Sequence, residues 1–458
     1  MKKILKYLGI TLLSLVGLLV LLIVILKVIP DDQYKSWITS AVTSATGRDL
    51  QIETLELDFS SPLRVATDNV RFANPEWAQD SDMVAVDHLE VELALWPLFS
   101  GQAEVRGILQ TANIESRSSA DGVSNWDFGL EPSEEEEPAE EVDEEGGGLP
   151  IRPVIRELRI DGVTLQLVND ADNISKEATL TQLLIETPDQ ETTLTLDASA
   201  HDTVLQLAGS LGNIDLALDQ AATDLDLKGQ VAENTFSING QWGPVMPTAN
   251  LDLLLDLKVP STSAVAALAG YEIGDFGVME MSARTRIVDG VVSVDDIITT
   301  LDGEQTSSSI RGNISDVVLL GGVNIAVEMD TESLERVIGL LNIELPVPLP
   351  PEVKLSALIE GDKEGLNIND IDVQVRDEGT EIKLTAEVRD ILKSRQVSGD
   401  VQASLDSLSR LSKYANMELP ALGALELAGH VQSNEDRYQL QGLDAQLDAD
   451  NLNPVSYT

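Results

Sequence analysis

Leu251-Asp252-Leu253-Leu254-Leu255-Asp256-Leu257 sets leucine on every odd position and an acid on two of the three positions between. A period of two belongs to a β-strand, whose successive side chains point to opposite faces, so the stretch reads as a strand with one aliphatic face. Leu89, Val91, Leu93 and Leu95 alternate in the same way with Glu90, Glu92 and Ala94. Shorter alternations recur at Leu194/Leu196, Leu205/Leu207, Leu216/Leu218 and Leu225/Leu227. Asp121-Gly122, Asp161-Gly162, Asn239-Gly240, Asp289-Gly290 and Asp302-Gly303 carry hairpin chemistry, because these residues accept the positive φ that tight turns require. Helical patterns are few. The expected fold is all-β, a long twisted antiparallel sheet of repeats with a few short helices and about 25–30 strands. With so few helices to cover them, the aliphatic faces either close as a sandwich or curl as a groove around something apolar. Leu89, Val91, Leu93, Leu95, Leu251, Leu253, Leu255 and Leu257 are the candidate groove lining.

The N-terminus reads differently. Lys2, Lys3 and Lys6 precede an uncharged run from Tyr7 to Leu26. Twenty such residues at 1.5 Å per residue cover about 30 Å, the thickness of a hydrocarbon core. No small-x-small cleavage site follows closely, so the run is expected to be a retained transmembrane helix rather than a signal peptide. Three lysines before it, against Lys27, Asp31 and Asp32 after it, place the N-terminus in the cytoplasm and the rest outside. Beyond it Tyr34, Trp37, Ile38, Val42 and Ala45 recur at helical spacing, with Asp32 a candidate cap and Gly47 a stop.

The 458 residues exceed one ordinary core, and their 43% hydrophobic content with only 4% aromatics gives aliphatic rather than stacking surfaces. A net charge of −48 excludes nucleic acid as a partner, since phosphate binding rests on clustered Lys and Arg. Glu131–Glu145, dense in acids and followed by Gly146-Gly147-Gly148, repels itself too strongly to bury a core and reads as a disordered linker that tolerates deletion. In the C-terminal half, three stretches share a short helix, a polar turn, an acid (Glu272, Glu344 or Glu418) and then strands, at a period of about seventy residues.

Thr46-Gly47-Arg48, Val70-Arg71-Phe72-Ala73-Asn74-Pro75, Leu93 to Gly101 (LALWPLFSG) and Asn125-Trp126-Asp127-Phe128 follow in that order behind the single span. In this arrangement the chain resembles the AsmA family, and its later repeats are similar to that family's C-terminal repeats. The resemblance implies a single-pass protein of the bacterial inner membrane, with most of the chain periplasmic, acting in outer-membrane biogenesis. It also places the chain near the bridge-like lipid-transfer proteins, whose β-gutter is lined with apolar residues, so phospholipid is the implied partner besides the inner membrane. The chain stops part-way through its third repeat, which points to a fragment or to dependence on outer-membrane or envelope assembly proteins. The alternative function is a structural scaffold, without lipid, that assists outer-membrane protein assembly or protein targeting to the membrane.

No enzyme is read here. The sequence has no cysteine, and His88, His201 and His430 are scattered, so neither a thiolate nor a His-rich metal site is expected. Gly-x-Ser-x-Gly, phosphate-cradling loops and His-Glu-x-x-His are missing, and no cofactor is expected. The expected division is an anchor to residue 30, an N-terminal β domain over 31–130, an acidic linker over 131–148, a central β region over 149–260 and β repeats over 261–458. The topology is testable. A reporter active only outside the cytoplasm, fused after Thr458, should be active; activity of a cytoplasm-only reporter there overturns the orientation.

Overall fold

Alternating residues make strands here, and each strand finds its partner next to it in the chain. The computed structural model describes residues 29–447 except 79, 129–151, 202, 220, 245–249, 269, 341–347, 394–395, 416 and 435–436. Among these the chain is all-β with short helices, in two compact units, Met1–Asp215 and Leu216–Thr458. The apolar stretch Tyr7–Leu26 lies outside the described residues. Among the described residues no helix is long and apolar enough to cross a membrane.

The first unit opens with helix α1 (Asp31–Thr46), which begins after Pro30 with no side-chain cap. Asp32 therefore does not cap it; Asp31 and Asp32 sit in the first turn, where carboxylates complement the helix dipole. Gly47 ends the helix in the left-handed region (φ 70°), and its N–H bonds to the Thr43 carbonyl. Then come β1 (Leu50–Asp58), β2 (Leu63–Ala73), β3 (Asp82–Ala94), the short helix α2 (Leu95–Leu98) and β4 (Gln102–Ser118). After the acidic stretch follow β5 (Arg152–Asn169), β6 (Ile174–Glu186), β7 (Thr192–Ala200) and β8 (Thr203–Gly212). Each strand pairs with the next and all pairs are antiparallel but one: β4 and β5 run parallel from Gln102↔Arg152 to Ser118↔Asn169. A parallel pair needs a long return connection, and the acidic stretch supplies it.

Helix α3 (Ile214–Asp219) follows β8, so the Leu216/Leu218 alternation, expected as a strand, is helical. The second unit contains β9 (Thr223–Val231), β10 (Asn234–Trp242), β11 (Leu251–Val259) and helix α4 (Thr262–Leu268). Four strands follow, β12 (Val278–Val288), β13 (Val291–Asp302), β14 (Thr306–Asp316) and β15 (Gly321–Thr331). The pattern then repeats with α5 (Leu334–Leu340), β16 (Glu352–Asp362), β17 (Gly365–Asp377), β18 (Thr380–Arg389) and β19 (Gln396–Leu405). A 3-10 turn (Leu408–Leu411), helix α6 (Ser412–Ala415), β20 (Leu425–Asn434) and β21 (Arg437–Leu447) end the unit. The expected period resolves into one short helix and four antiparallel strands. The helical segments start 72 and 74 residues apart. Single-residue bulges with positive φ at Asp296 in β13 and Asp370 in β17 mark the same point of successive repeats.

The described strands number twenty-one, fewer than expected, because several are long: β4 has 17 residues and β5 has 18. Two of the expected hairpin dipeptides lie inside strands. Asp161-Gly162 falls mid-β5, and at Asn239-Gly240, mid-β10, a Cβ on Gly240 would meet the Asp252 carbonyl at 2.1 Å. Glycine there serves close strand approach rather than a turn. Asp289-Gly290 does form the β12–β13 hairpin, with φ of 51° and 79°.

The disorder expected for Glu131–Glu145 falls outside the described residues, but the tolerance to deletion is corrected by the strand ends. Phe128 packs on Phe72 with ring centroids 6.2 Å apart, and Phe72 is level, through Val84 and Ile114, with Leu165. From that level to Arg152 is thirteen residues of β5, or roughly 43 Å. The connection reaches about 80 Å fully extended, but only about 20 Å once Glu131–Gly148 is removed. Deleting that segment should therefore abolish hydrogen-exchange protection in β5, whereas an uncharged Gly/Ser replacement of equal length should preserve it. Unchanged protection after the deletion overturns the parallel pairing.

Candidate functional site

Residues directly opposed across a ladder share a face, so the register shows where the aliphatic residues go. In the first unit Leu57, Val65, Val91, Gly107, Leu158, Ile185, Leu194 and Gly209 form one row across all eight strands. Beside it run Leu55, Thr67, Leu89, Leu109, Ile160, Leu183, Leu196 and Leu207, and on the other side Leu63, Leu93, Val105 and Ile155. In the second unit Leu251, Leu253, Leu255 and Leu257 stand in rows with Trp242, Gly240, Ile238 and Phe236 on β10 and with Ile287, Thr285, Ala283 and Met281 on β12. A further row runs over ten strands from Val259 through Met279, Leu301, Met329, Leu355, Val373 and Leu384 to Val401 and Gly429.

Leu89, Val91 and Leu93 thus share one face, and Leu251, Leu253, Leu255 and Leu257 share another in the second unit. Leu95 does not extend its row: it opens α2, because Pro97 cannot continue the strand's hydrogen bonding. None of these faces is sealed. Along β15, Val323, Ile325, Val327 and Met329 are half-buried while Asn324, Ala326, Glu328 and Asp330 are exposed. Val65, Leu89 and Val91 remain 36–38% exposed. A sandwich interior would bury such residues almost completely, so each unit presents an open sheet.

Most of the ion pairs lie on the opposite face. Arg284 pairs with Asp252 at 2.8 Å, Arg286 with Asp295 at 2.8 Å, and Lys258 with Glu280 at 2.6 Å. His88 Nδ1 lies 2.7 Å from Asp68 and His430 Nδ1 lies 2.9 Å from Asp400, both on this polar face. Hollows of about 380 Å³ (beside Glu381, Lys383 and Glu426) and 500 Å³ (beside Asp330 and Lys354) are dips between these long side chains, not apolar sites. Among the described residues no three His, Cys, Asp or Glu side chains converge as a metal site. Glu272 and Glu418 are exposed, and Glu344 lies outside the described residues.

One end of the first unit carries a buried polar cluster. Arg48, held just past Gly47, is only 8% exposed. It donates to the carbonyls of Asn125 and Asp127 (the latter at 2.8 Å) and lies 4.5 Å over the Phe128 ring. Burial lowers the Arg48 guanidinium pKa, and nearby Asp127 opposes that shift. Asn125, fully buried, donates to Asn74 Oδ1 (2.8 Å) and to the Glu115 carbonyl (3.0 Å), and accepts from the Arg117 N–H at 2.8 Å. The buried Glu115 carboxylate accepts from Asn74 at 3.0 Å and from Ser81 at 2.7 Å. The motifs Thr46-Gly47-Arg48, Asn74-Pro75 and Asn125 to Phe128 therefore meet as a clamp that fastens residues 125–128 to the strand ends. Sequence reasoning missed Glu115, whose position in β4 carries no periodic signal.

A family model for the AsmA family matches residues 1–186. Over that stretch the chain is similar to the AsmA family. The clamp and strands β1 to β6 of the open aliphatic face fall within this AsmA-like stretch, while β7, β8 and the later helix-and-four-strand repeats lie beyond the match. No curated protein and no solved structure is similar enough to match.

Replacing Arg48 by Met keeps the bulk but removes the donor to the buried Asn125 carbonyl and to the more exposed Asp127 carbonyl, which should cost the first unit roughly 1–3 kcal/mol. Arg48→Lys should recover less than half, because one ammonium lacks the fork that reaches both carbonyls. Urea unfolding followed at Trp126 measures both, and an unchanged midpoint for Arg48→Met removes the clamp from the stability of the unit.

Proposed function

We propose that the chain is a bacterial inner-membrane protein, held by Tyr7–Leu26 with its β-sheet in the periplasm, that binds phospholipid acyl chains along its aliphatic face and conducts them in outer-membrane biogenesis. The observation that carries this reading is the register: aliphatic residues align row after row across chain-adjacent strands, yet stay half-exposed. An apolar face of this extent is kept in water only when something covers it. Covering the exposed part of each such side chain is worth on the order of 1 kcal/mol, so a flexible aliphatic ligand gains by lying along several rows. The AsmA-like stretch and the lysine-flanked apolar N-terminus favour the same setting. No bond-making step and no cofactor are assigned to the chain.

The test is Leu253→Asp with Leu255→Asp in one chain. Both positions are half-buried, so carboxylates there still reach water from an open face. Melting should fall by a few degrees while co-purified phospholipid, counted by mass spectrometry, falls several-fold. A variant that melts normally and keeps its lipid overturns acyl binding at these residues. Wild-type protein that carries no lipid supports instead the scaffold role in outer-membrane protein assembly or targeting.

A further inference from the structure

At the end of the first unit opposite the clamp, an uncharged tip projects beside the charged side chains of Glu92, Glu104, Arg106 and Arg156. β3 runs out through Leu93 into α2, whose Trp96 is 76% exposed, and Phe99 just beyond it is 72% exposed with ring centroids 6.0 Å apart. From Leu93 to Gly101 the sequence carries no charge, although the whole chain carries −48. Exposed hairpin tips are ordinarily polar, and Trp96 with Phe99 offers on the order of 300 Å² of aromatic surface to solvent.

The same end receives the chain from its N-terminal apolar run. Leu63, the first residue of β2, pairs with Leu93, so α2 lies beside the β1–β2 turn that holds Phe59. Tyr34, in the first turns of α1, packs on Phe59 with centroids 6.1 Å apart and on Trp37 at 5.6 Å. Trp37 is itself 52% exposed and Ile38 41%. Two strand spacings, about 10 Å, separate the Phe59 turn from α2. Four residues, Lys27 to Pro30, lie between Leu26 and the start of α1, a span of at most about 17 Å of chain. Tryptophan and phenylalanine favour the boundary between headgroups and acyl chains, where an aromatic body meets apolar contact and water together.

We propose that Trp96 and Phe99, with Trp37 beside them, dock this end of the sheet into the headgroup–acyl boundary of the bilayer that Tyr7–Leu26 enters. The inference rests on the reading of Tyr7–Leu26 as a membrane span. It gives the acidic body an apolar foothold on a surface whose anionic lipids repel it.

The chain has no cysteine, so one introduced thiol is a unique label site. The full chain is reconstituted in vesicles of phosphatidylethanolamine and phosphatidylglycerol containing shallow nitroxide-labelled lipid. An environment-sensitive fluorophore is placed on Phe99→Cys, on Leu13→Cys within the apolar run, or on Val123→Cys, an exposed site at the clamp end. The expected result is a blue shift and nitroxide quenching at positions 99 and 13, with neither at 123. Quenching at 13 without quenching at 99 overturns the docking and leaves the span standing. Quenching at 99 without 13 keeps the docking and removes the span, and quenching at neither removes both. A blue shift at 99 without lipid quenching means a protein surface covers the tip, such as a second copy of the chain, and also overturns the proposal.

Discussion

The backbone ladder between chain-adjacent strands is what the rest of this molecule depends on. Only fourteen apolar residues are buried among the described residues, so neither unit has a thick core. Each strand instead satisfies its own N–H and C=O groups on its neighbours, and each aliphatic row gains partial shelter from the rows beside it. Such a body is quasi-one-dimensional: a strand is supported by the strand before and the strand after it. Most pairings are hairpin-local, which favours rapid formation; β11–β12, β15–β16 and β19–β20 are joined through short helical segments, and β4 with β5 is bridged by the longer acidic connection.

The single layer divides its chemistry between two faces, one aliphatic and one polar. Lysine, arginine and histidine find acids on the polar side, in pairs whose exposure makes each worth little singly. Arg64, hydrogen-bonded to Glu90, holds that carboxyl below its usual range. These pairs order the outer surface without placing charge among the aliphatic rows. The first unit has two different ends, a buried hydrogen-bonded clamp at one and an uncharged aromatic tip at the other.

Much of this was legible in the sequence because a period of two is a direct imprint of a two-faced strand. Leu251 to Leu257 read correctly as a strand, and the seventy-residue period anticipated the helix-and-four-strand unit. Leu95 was misassigned to the row because alternation persists into α2, and only Pro97 betrays the break. Asp161-Gly162 and Asn239-Gly240 resemble turns, since the residue types that permit a turn also permit a kink or a close strand approach within a strand. The parallel β4–β5 pair left no local mark, because strand direction is set by the connection and not by the strand. Glu115 was hidden for a related reason, and so was the contact of Arg48 with it through Asn125: a buried polar network depends on separated segments meeting, which periodicity does not record.

Across β1 to β6 the aliphatic phase changes at one shared level. Leu50 and Ile52 give way to Leu55 and Leu57, Val84 and Val86 to Leu89 and Val91, and Leu109 to Ala112 and Ile114. At that level each strand carries two consecutive non-aliphatic residues, Glu53-Thr54, Asp68-Asn69, Asp87-His88, Gln110-Thr111, Asp161-Gly162 and Thr181-Gln182, with positive φ at Asn69, Thr111 and Gly162. The sheet is therefore written in two reading frames, joined at a seam that all six strands share. Losing a single residue within one strand acts like a frameshift, turning its aliphatic side chains outward from that point while its neighbours keep theirs. Length changes in this region are confined to the loops between strands, or must alter the seam of every strand together.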